Sequence, residues 1–466
     1  MFTKFLREDN VDSFILECKN RFFKFFQHTK IADLIEKSLF FAHIDKFIFA
    51  MLLLTFGSAP FVSTDVIGGF TILFISLVVL KLLVKKGEKF TMSTLDASVA
   101  IFLMVSFVSL MGSTLLVQSF HGFIKVLTYI VFYFCLTHWL RQNRSKIWTI
   151  LALIVGLISF ESVVGILQNF GGIEEISGWQ DTSHLDVTEI ISRAYGTLQP
   201  FNPNLLAGYI LPGLAFAFYF FALNLANKQK KRAVVFVALV FLNLLTLVYT
   251  GCRGAYIGMI TFFAFCSGWA IHYINANYGG FSNLKKRWRN TIVVAICGFS
   301  LFLFTNPAIL KRIFSIFAFR EDSSISFRMN VYKSSLAMFL DNPILGIGIG
   351  NQNFREIYGL YMRTGFDALG AYSVPLEIAV ETGILGFISF FAILFIAFYR
   401  AIHFLKTSTS KQVKLLVFSM LMTIALLMTH GLIDTIFYRP QVQMLFWLAL
   451  AVVNVSAVAS REPHQS

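Results

Sequence analysis

Charge is what this sequence has least of. Asp, Glu, Lys and Arg make up 14% of its residues and hydrophobic types 56%, where a soluble domain carries about 25% charged residues. A water-soluble core cannot absorb that imbalance, which excludes an ordinary soluble enzyme or binding module. Cysteine is also sparse. Of five, Cys135, Cys266 and Cys297 fall in apolar runs, Cys18 lies in the N-terminal tail, and only Cys252 lies near a turn expected on the outer face. No disulfide framework is implied. Signatures for bound groups are missing as well: there is no P-loop, no H-E-x-x-H, no Ser-His-Asp signature and no His/Cys cluster with metal-ligand spacing. No cofactor and no metal are therefore expected. A cleavable signal peptide is not expected either, because the first long apolar run begins only at Phe47. Neither an internal repeat nor a Pro/Ser-rich linker marks a second soluble domain.

What the chain does have is apolar runs of about 17 to 25 residues, the length a helix needs to cross a bilayer. They fall near 47–63, 66–84, 96–115, 121–139, 147–168, 203–226, 232–250, 254–273, 291–309, 376–399, 412–431 and 440–458. The fold class expected is an all-α polytopic membrane protein of about twelve transmembrane helices. Lys and Arg concentrate in alternate connections, at Lys81, Lys85, Lys86 and Lys89, at Arg141, Arg144 and Lys146, at Lys228 to Arg232, at Lys285 to Arg289 and at Arg400 to Lys414. By the positive-inside rule those connections and both termini are cytoplasmic. The net charge of +14 then reflects topology, and no nucleic-acid partner is expected.

Three regions follow: a basic amphipathic tail at 1–45 lying on the inner leaflet, with aromatics interleaved as in Arg21-Phe22-Phe23-Lys24, a membrane domain at 46–466, and within it a large outer loop at 311–375. The remaining outer connections are Gly171 to Asn202, the turn Thr250-Gly251-Cys252-Arg253-Gly254, and His430-Gly431 to Asp434 running on to Tyr438-Arg439-Pro440. The candidate chemistry gathers on that face.

Arg253 sits between apolar runs and offers a charged fork of donors suited to phosphate or carboxylate; alternatively it anchors a helix end among headgroups. Arg193 is a second outer cation. It precedes Asn202-Pro203-Asn204, which reads as a cap and first turn, with the asparagines as capping groups. Arg328 opens a helical stretch that stops at Asp341-Asn342-Pro343, and points either to solvent or into a cleft. The Gly346-Ile347-Gly348-Ile349-Gly350 run is no dinucleotide fingerprint, since no β-α-β unit surrounds it; it reads as a tight turn. Glu377 and Glu381 share one helix face, and carboxylates there need a cleft or a cation, although Glu377 also suits a positive helix end. His430 and Asp434 have the same spacing at the end of another span.

Arg193 with Asn202-Pro203-Asn204, the Thr250 to Gly254 turn, Arg328 through Asp341-Asn342-Pro343 to Gly350, and Ser373 to Gly386 with its Glu381-Thr382-Gly383 step together resemble the O-antigen ligase and polymerase superfamily of polytopic glycosyltransferases. The resemblance runs from about Phe47 to the C-terminus. More narrowly, Gly57 to Val62, Arg320 to Ser324, Ala371 to Glu377 and His430 to Pro440 are similar to the cyanobacterial IctB subgroup, described as bicarbonate transporters.

The resemblance implies a GT-C-like fold in the inner membrane with its site on the periplasmic face. It implies an inverting, metal-independent transfer of a glycan from a polyprenyl diphosphate to a hydroxyl of a lipid or glycan acceptor. Arginines hold the diphosphate, and Arg193 and Arg253 match those positions; Arg328, Arg439 and Asn204 are candidate substrate-binding residues. The family's base, a histidine of the long loop, aligns with Tyr372, whose phenol, with a reference pKa of about 10, is a poor base. Tyr372 then orients the acceptor, and Glu381, His430 or Asp434 supplies the base. The alternative is a carrier for bicarbonate or another small solute, or an accessory protein. Carriers place their sites at mid-membrane between repeats; here no repeat is evident and central charges are sparse, Lys125 and Glu161 being the clearest near-span candidates.

Overall fold

The computed structural model describes residues 24–87, 90–171, 193–278 and 323–458, apart from positions 364 and 366. The expected span at 291–309, the Arg320-Glu321-Asp322 opening of the long loop, His184, Cys18, Cys297 and the start of the tail lie outside the described residues.

Where water is excluded, each backbone N–H and C=O must be satisfied within its own segment, and the apolar runs accordingly form helices. In chain order these are α1 (Ile44–Ser58), α2 (Thr64–Val84), α3 (Thr94–Met111), α4 (Leu116–Gln142), α5 (Lys146–Phe170), α6 (Pro203–Ala226), α7 (Lys230–Thr250), α8 (Arg253–Tyr278), α9 (Ser323–Asp341), α10 (Asn351–Tyr361), α11 (Val374–Thr407), α12 (Lys411–Gly431) and α13 (Pro440–Val458). Ten of them are long and apolar enough to cross a membrane, and no strand occurs among the described residues. All expected spans except 291–309 fall on helices. The first ends earlier than the expected span at 47–63, at Ser58, because Pro60 has no N–H to continue the ladder. Likewise α3 stops at Met111 with Gly112 as its cap, not at Leu115.

Helices α6 and α13 form the centre, with 94% and 89% of their spans buried. The helix ends sort into two sets. At one end, Lys81 meets Asp45 at 2.7 Å and Gln142 at 2.9 Å, so this lysine is a buried structural charge rather than a free loop cation. Beside it Asp96 accepts from Tyr133 at 2.9 Å, Asn454 at 2.8 Å and Arg141 at 2.7 Å, joining α3, α4 and α13. The tail docks at this end too, through Gln27 on Leu82 O and Lys86 on Asp33, while Ile31, Leu34 and Leu39 remain exposed.

The other end collects the turns in which the sequence placed its candidates. Thr197 donates to Pro60 O, Arg193 to Thr250 O, Gln441 to Gln199 O, and Ser113 to Ile347 O. Here the long loop builds a small core of its own, with Val331, Met338, Phe354 and Tyr358 closing over Val380 of α11.

Helix α11 is broken. Gly383 has φ 65° and ψ −168°, a backbone region closed to other residues, so the carbonyls before it lose their partners in the next turn. The glycine-rich run supplies replacements: Ile347 N–H donates to Val380 O at 2.9 Å and Gly348 N–H to Glu381 O at 3.0 Å, while Ile384 N–H donates back to Pro343 O at 2.8 Å. Ser109 of α3 also donates to Glu381 O. The run expected as a tight turn is thus an extended strap laid into a helix break, with positive φ at Gly346, Gly348 and Gly350. Replacing Gly383 by Ala is expected to destabilise the protein by about 1–3 kcal/mol, read as a lower thermal midpoint of the detergent-solubilised protein.

Candidate functional site

The site lies where four connections meet at the turn-rich end of the bundle. The first is the segment from Arg193 to Asn202, held down by α5: Glu161 accepts from Thr197 N–H at 2.8 Å and Gln168 from Gly196 N–H at 2.8 Å. Asn202 caps α6 through Asn204 N–H and Pro203 follows it, as the local sequence indicated. Arg193, half-buried, donates from Nε to Thr250 O at 2.7 Å and from a terminal nitrogen to Asn204 Oδ1 at 2.9 Å. Asn204 therefore positions Arg193.

Thr250 ends α7, and Gly251 with φ 58° turns the chain so that Arg253 starts α8. Both arginines thus belong to one turn, Arg193 by hydrogen bond and Arg253 by sequence. Between them Cys252, 2% exposed, faces the fully buried His430 from the end of α12, with Sγ 3.4 Å from Nε2. The ring fits because Gly208 of α6 and Gly254 of α8 flank it; a Cβ at Gly254 would overlap the imidazole.

Asp434, four residues on, is buried. One carboxylate oxygen accepts from Thr435 N–H at 2.8 Å; the other lies 3.9 Å from His430 Nε2 and 4.0 Å from Arg328. Burial pushes the Asp434 carboxyl up, but His430 and the Arg328 guanidinium outweigh it and hold it below the usual carboxylate range. Burial likewise pushes the Cys252 thiol up, and His430 beside it more than offsets this, so the thiol lies below its ordinary value. Arg439, half-buried past the same turn, also acts electrostatically on Asp434.

Arg328 points into the cleft. It donates to Ile433 O at 2.8 Å and stacks over Tyr372, 5.4 Å from the ring centroid. Tyr372 has φ 50°, strained for a non-glycine residue, and its carbonyl accepts from Tyr332. Burial raises its phenol to about 12, against a smaller opposing effect of Arg328.

Glu377 and Glu381, buried on α11, border a cavity of about 100 Å³ that Lys125 and Tyr129 of α4, Tyr438 and Trp447 also line, room for several waters. Tyr438 OH donates to Glu381, while Glu377 Oε1 has no hydrogen-bond partner. Glu377 acts electrostatically on both Tyr372 and Asp434, so the cavity adjoins the Arg328 cleft. Glu161, by contrast, is occupied in holding the Thr197 segment. Arg328, Tyr372, His430 and Asp434 are brought together directly, Arg193 and Arg253 reach them through the Cys252 turn, and Glu381 stands on the cavity side.

Two contacts had no signal in the sequence: Cys252 and His430 are 178 positions apart, and Tyr438, named only as part of an outer connection, anchors Glu381 from 57 positions away.

An all-helical bundle with ten membrane-length helices among the described residues defines a polytopic membrane protein. Residues 238–391 of that bundle match the family model described as O-antigen ligase, which supports the O-antigen ligase superfamily and, at family level, a membrane glycosyltransferase of ligase or polymerase type. The match covers less than half of the chain; it includes Arg253, Arg328, Tyr372 and Glu381 and leaves Arg193, His430 and Asp434 outside. No curated protein matches the chain.

Gly254→Ala, with its new methyl in the space of the His430 ring, is expected to lower stability by about 1–3 kcal/mol. Gly68→Ala, where nothing lies within 4 Å of an added Cβ, is expected to leave the thermal midpoint unchanged or slightly raised, and the pair is compared by thermal unfolding in detergent.

Proposed function

We propose that this protein transfers a glycan from a polyprenyl diphosphate to a hydroxyl of a lipid or glycan acceptor, on the periplasmic face of a bacterial inner membrane. The observation that carries this reading is the convergence of Arg193 and Arg253 on the Thr250 turn, beside a cleft that holds Arg328. Departure of a diphosphate develops negative charge on its oxygens, and guanidinium groups fixed in advance stabilise that charge without reorganising. Arg193 is fixed by hydrogen bonds to a helix-end carbonyl and to Asn204.

Tyr372 is not the base in this scheme. Its phenol, raised to about 12, stays protonated at neutral pH, which suits a donor that orients the acceptor hydroxyl. His430 and Asp434 are deeply buried and face Cys252 and Arg328. Glu381 lines the cavity, and in this scheme it takes the acceptor proton. Arg439 tunes the charge of the cleft from behind Asp434.

The resemblance to the IctB subgroup keeps solute transport as the second reading, and the cavity between Lys125 and the two glutamates is the feature that favours it. Purified protein in liposomes separates the two. Glycan transfer from a lipid diphosphate donor to a hydroxyl acceptor, reduced about 10²-fold or more by Arg253→Ala, supports the enzyme. Uptake of labelled bicarbonate with no transfer overturns it. The pH profile of transfer is expected to be the same for Tyr372→Phe as for the parent up to about pH 9, because the phenol does not ionise there; an inflection that disappears in the variant sinks the assignment.

A further inference from the structure

Cys252, His430 and Asp434 come from three different parts of the chain: the turn before α8, the end of α12 and the loop after it. Their potential ligand atoms, Sγ, Nε2 and a carboxylate oxygen, all lie within 4.8 Å of one another, and all three residues are buried. Sγ to Nε2 is 3.4 Å and Nε2 to Oδ2 is 3.9 Å. One imidazole nitrogen therefore faces both a thiol and a carboxylate, and it can satisfy at most one of them by hydrogen bond. The 3.9 Å separation is too long for one. Oδ2 of Asp434 is left buried with no hydrogen-bond partner, an arrangement that folding disfavours unless something occupies the space the three groups face.

We infer that Cys252, His430 and Asp434 form a binding site for a divalent transition-metal ion of the zinc class. Zinc bonds of about 2.3 Å to sulfur and 2.0–2.2 Å to nitrogen and oxygen, spread tetrahedrally, place ligand atoms about 3.3–3.6 Å apart. The Sγ to Nε2 distance of 3.4 Å already falls in that range, whereas the Asp434 oxygen, 3.9 Å from Nε2 and within 4.8 Å of Sγ, must draw closer to the other two. The donor set selects the metal: a thiolate and an imidazole with one carboxylate suit zinc and its neighbours, whereas calcium and magnesium take oxygen ligands. Charge also balances, since thiolate and carboxylate together neutralise a dication.

The surroundings resemble the outer partners of a metal centre. Thr435 N–H holds the non-ligating oxygen of Asp434, and Arg328 flanks the ligating one, as ligating carboxylates are usually held in place by neighbours. Three protein ligands leave one position of a tetrahedron open, the pattern of sites that admit water or a further ligand. Among the described residues no other His, Cys, Asp or Glu joins the group. The inference stands whether or not glycan transfer is the chain's reaction.

The test uses the full chain in detergent, stripped with chelator and titrated with Co²⁺, then with Zn²⁺ in competition. Expected are about one ion per chain, visible bands of tetrahedral cobalt and a thiolate-to-cobalt charge-transfer band, all displaced by Zn²⁺. Cys252→Ser is expected to abolish the thiolate band. Asp434→Asn retains that band but weakens binding at least about 10-fold. No bound ion, or a thiolate band that survives Cys252→Ser, overturns the inference. If Cys252→Ser yields no folded protein, X-ray absorption of the zinc-loaded parent decides: one sulfur with nitrogen and oxygen neighbours supports the site, and oxygen and nitrogen alone refutes it.

Discussion

The break in α11 is the constraint on which the site end of the molecule depends. A transmembrane helix interrupted at Gly383 exposes carbonyls that lipid cannot satisfy. The strap from Gly346 to Gly350 satisfies them and is thereby fixed in place, and with it the long loop that precedes and follows. That docking holds Arg328 and Tyr372 over the end of α12, and it turns Glu377 and Glu381 toward the cavity at the top of α4. A continuous α11 would offer the strap no acceptors, and the loop would have only its small apolar core to rest on.

The site is assembled by a second device, the fastening of charged and polar side chains to helix ends. Arg193 is tied to the last carbonyl of α7, Arg253 begins α8, His430 ends α12, and Arg328 is tied to the carbonyl beside Asp434. Helix ends carry unsatisfied backbone groups, so the same contacts that satisfy them also fix the catalytic candidates. Rigidity at the chemistry and satisfaction of the backbone are obtained together. The opposite end uses buried ion pairs instead, Lys81 with Asp45 and Arg141 with Asp96, and these, with the hydrogen bonds of Lys81 to Gln142 and of Asn454 to Asp96, tie α1, α2, α3, α4 and α13 together.

Much of the fold was legible in the sequence because membrane crossing is a local demand: a run of apolar residues of sufficient length must be helical wherever it lies. The spans, the cap at Asn202 with Pro203, the alternation of basic connections and the helix beginning near Arg328 all follow from neighbours in sequence. The end of α1 was misplaced because hydropathy continues through Ala59 to Val62 while the hydrogen-bond ladder does not survive Pro60. The strap was misread as a turn, since its partners, Val380 and Glu381, lie more than a helix's length away along the chain.

Composition and periodicity by themselves determined that this is a polytopic all-helical protein, which connections share a face, and which arginines and carboxylates stand at helix ends. Only the tertiary structure decided which of those groups meet. The pairing of Cys252 with His430 and Asp434, the stacking of Arg328 on Tyr372 and the anchoring of Glu381 by Tyr438 join residues from separate helices. The reason is physical: hydrophobic length places a residue at a depth in the membrane, but it says nothing about rotation or neighbour. Those are settled by packing around α6 and α13, and by close approaches such as that of His430 to Gly254, which no local pattern encodes.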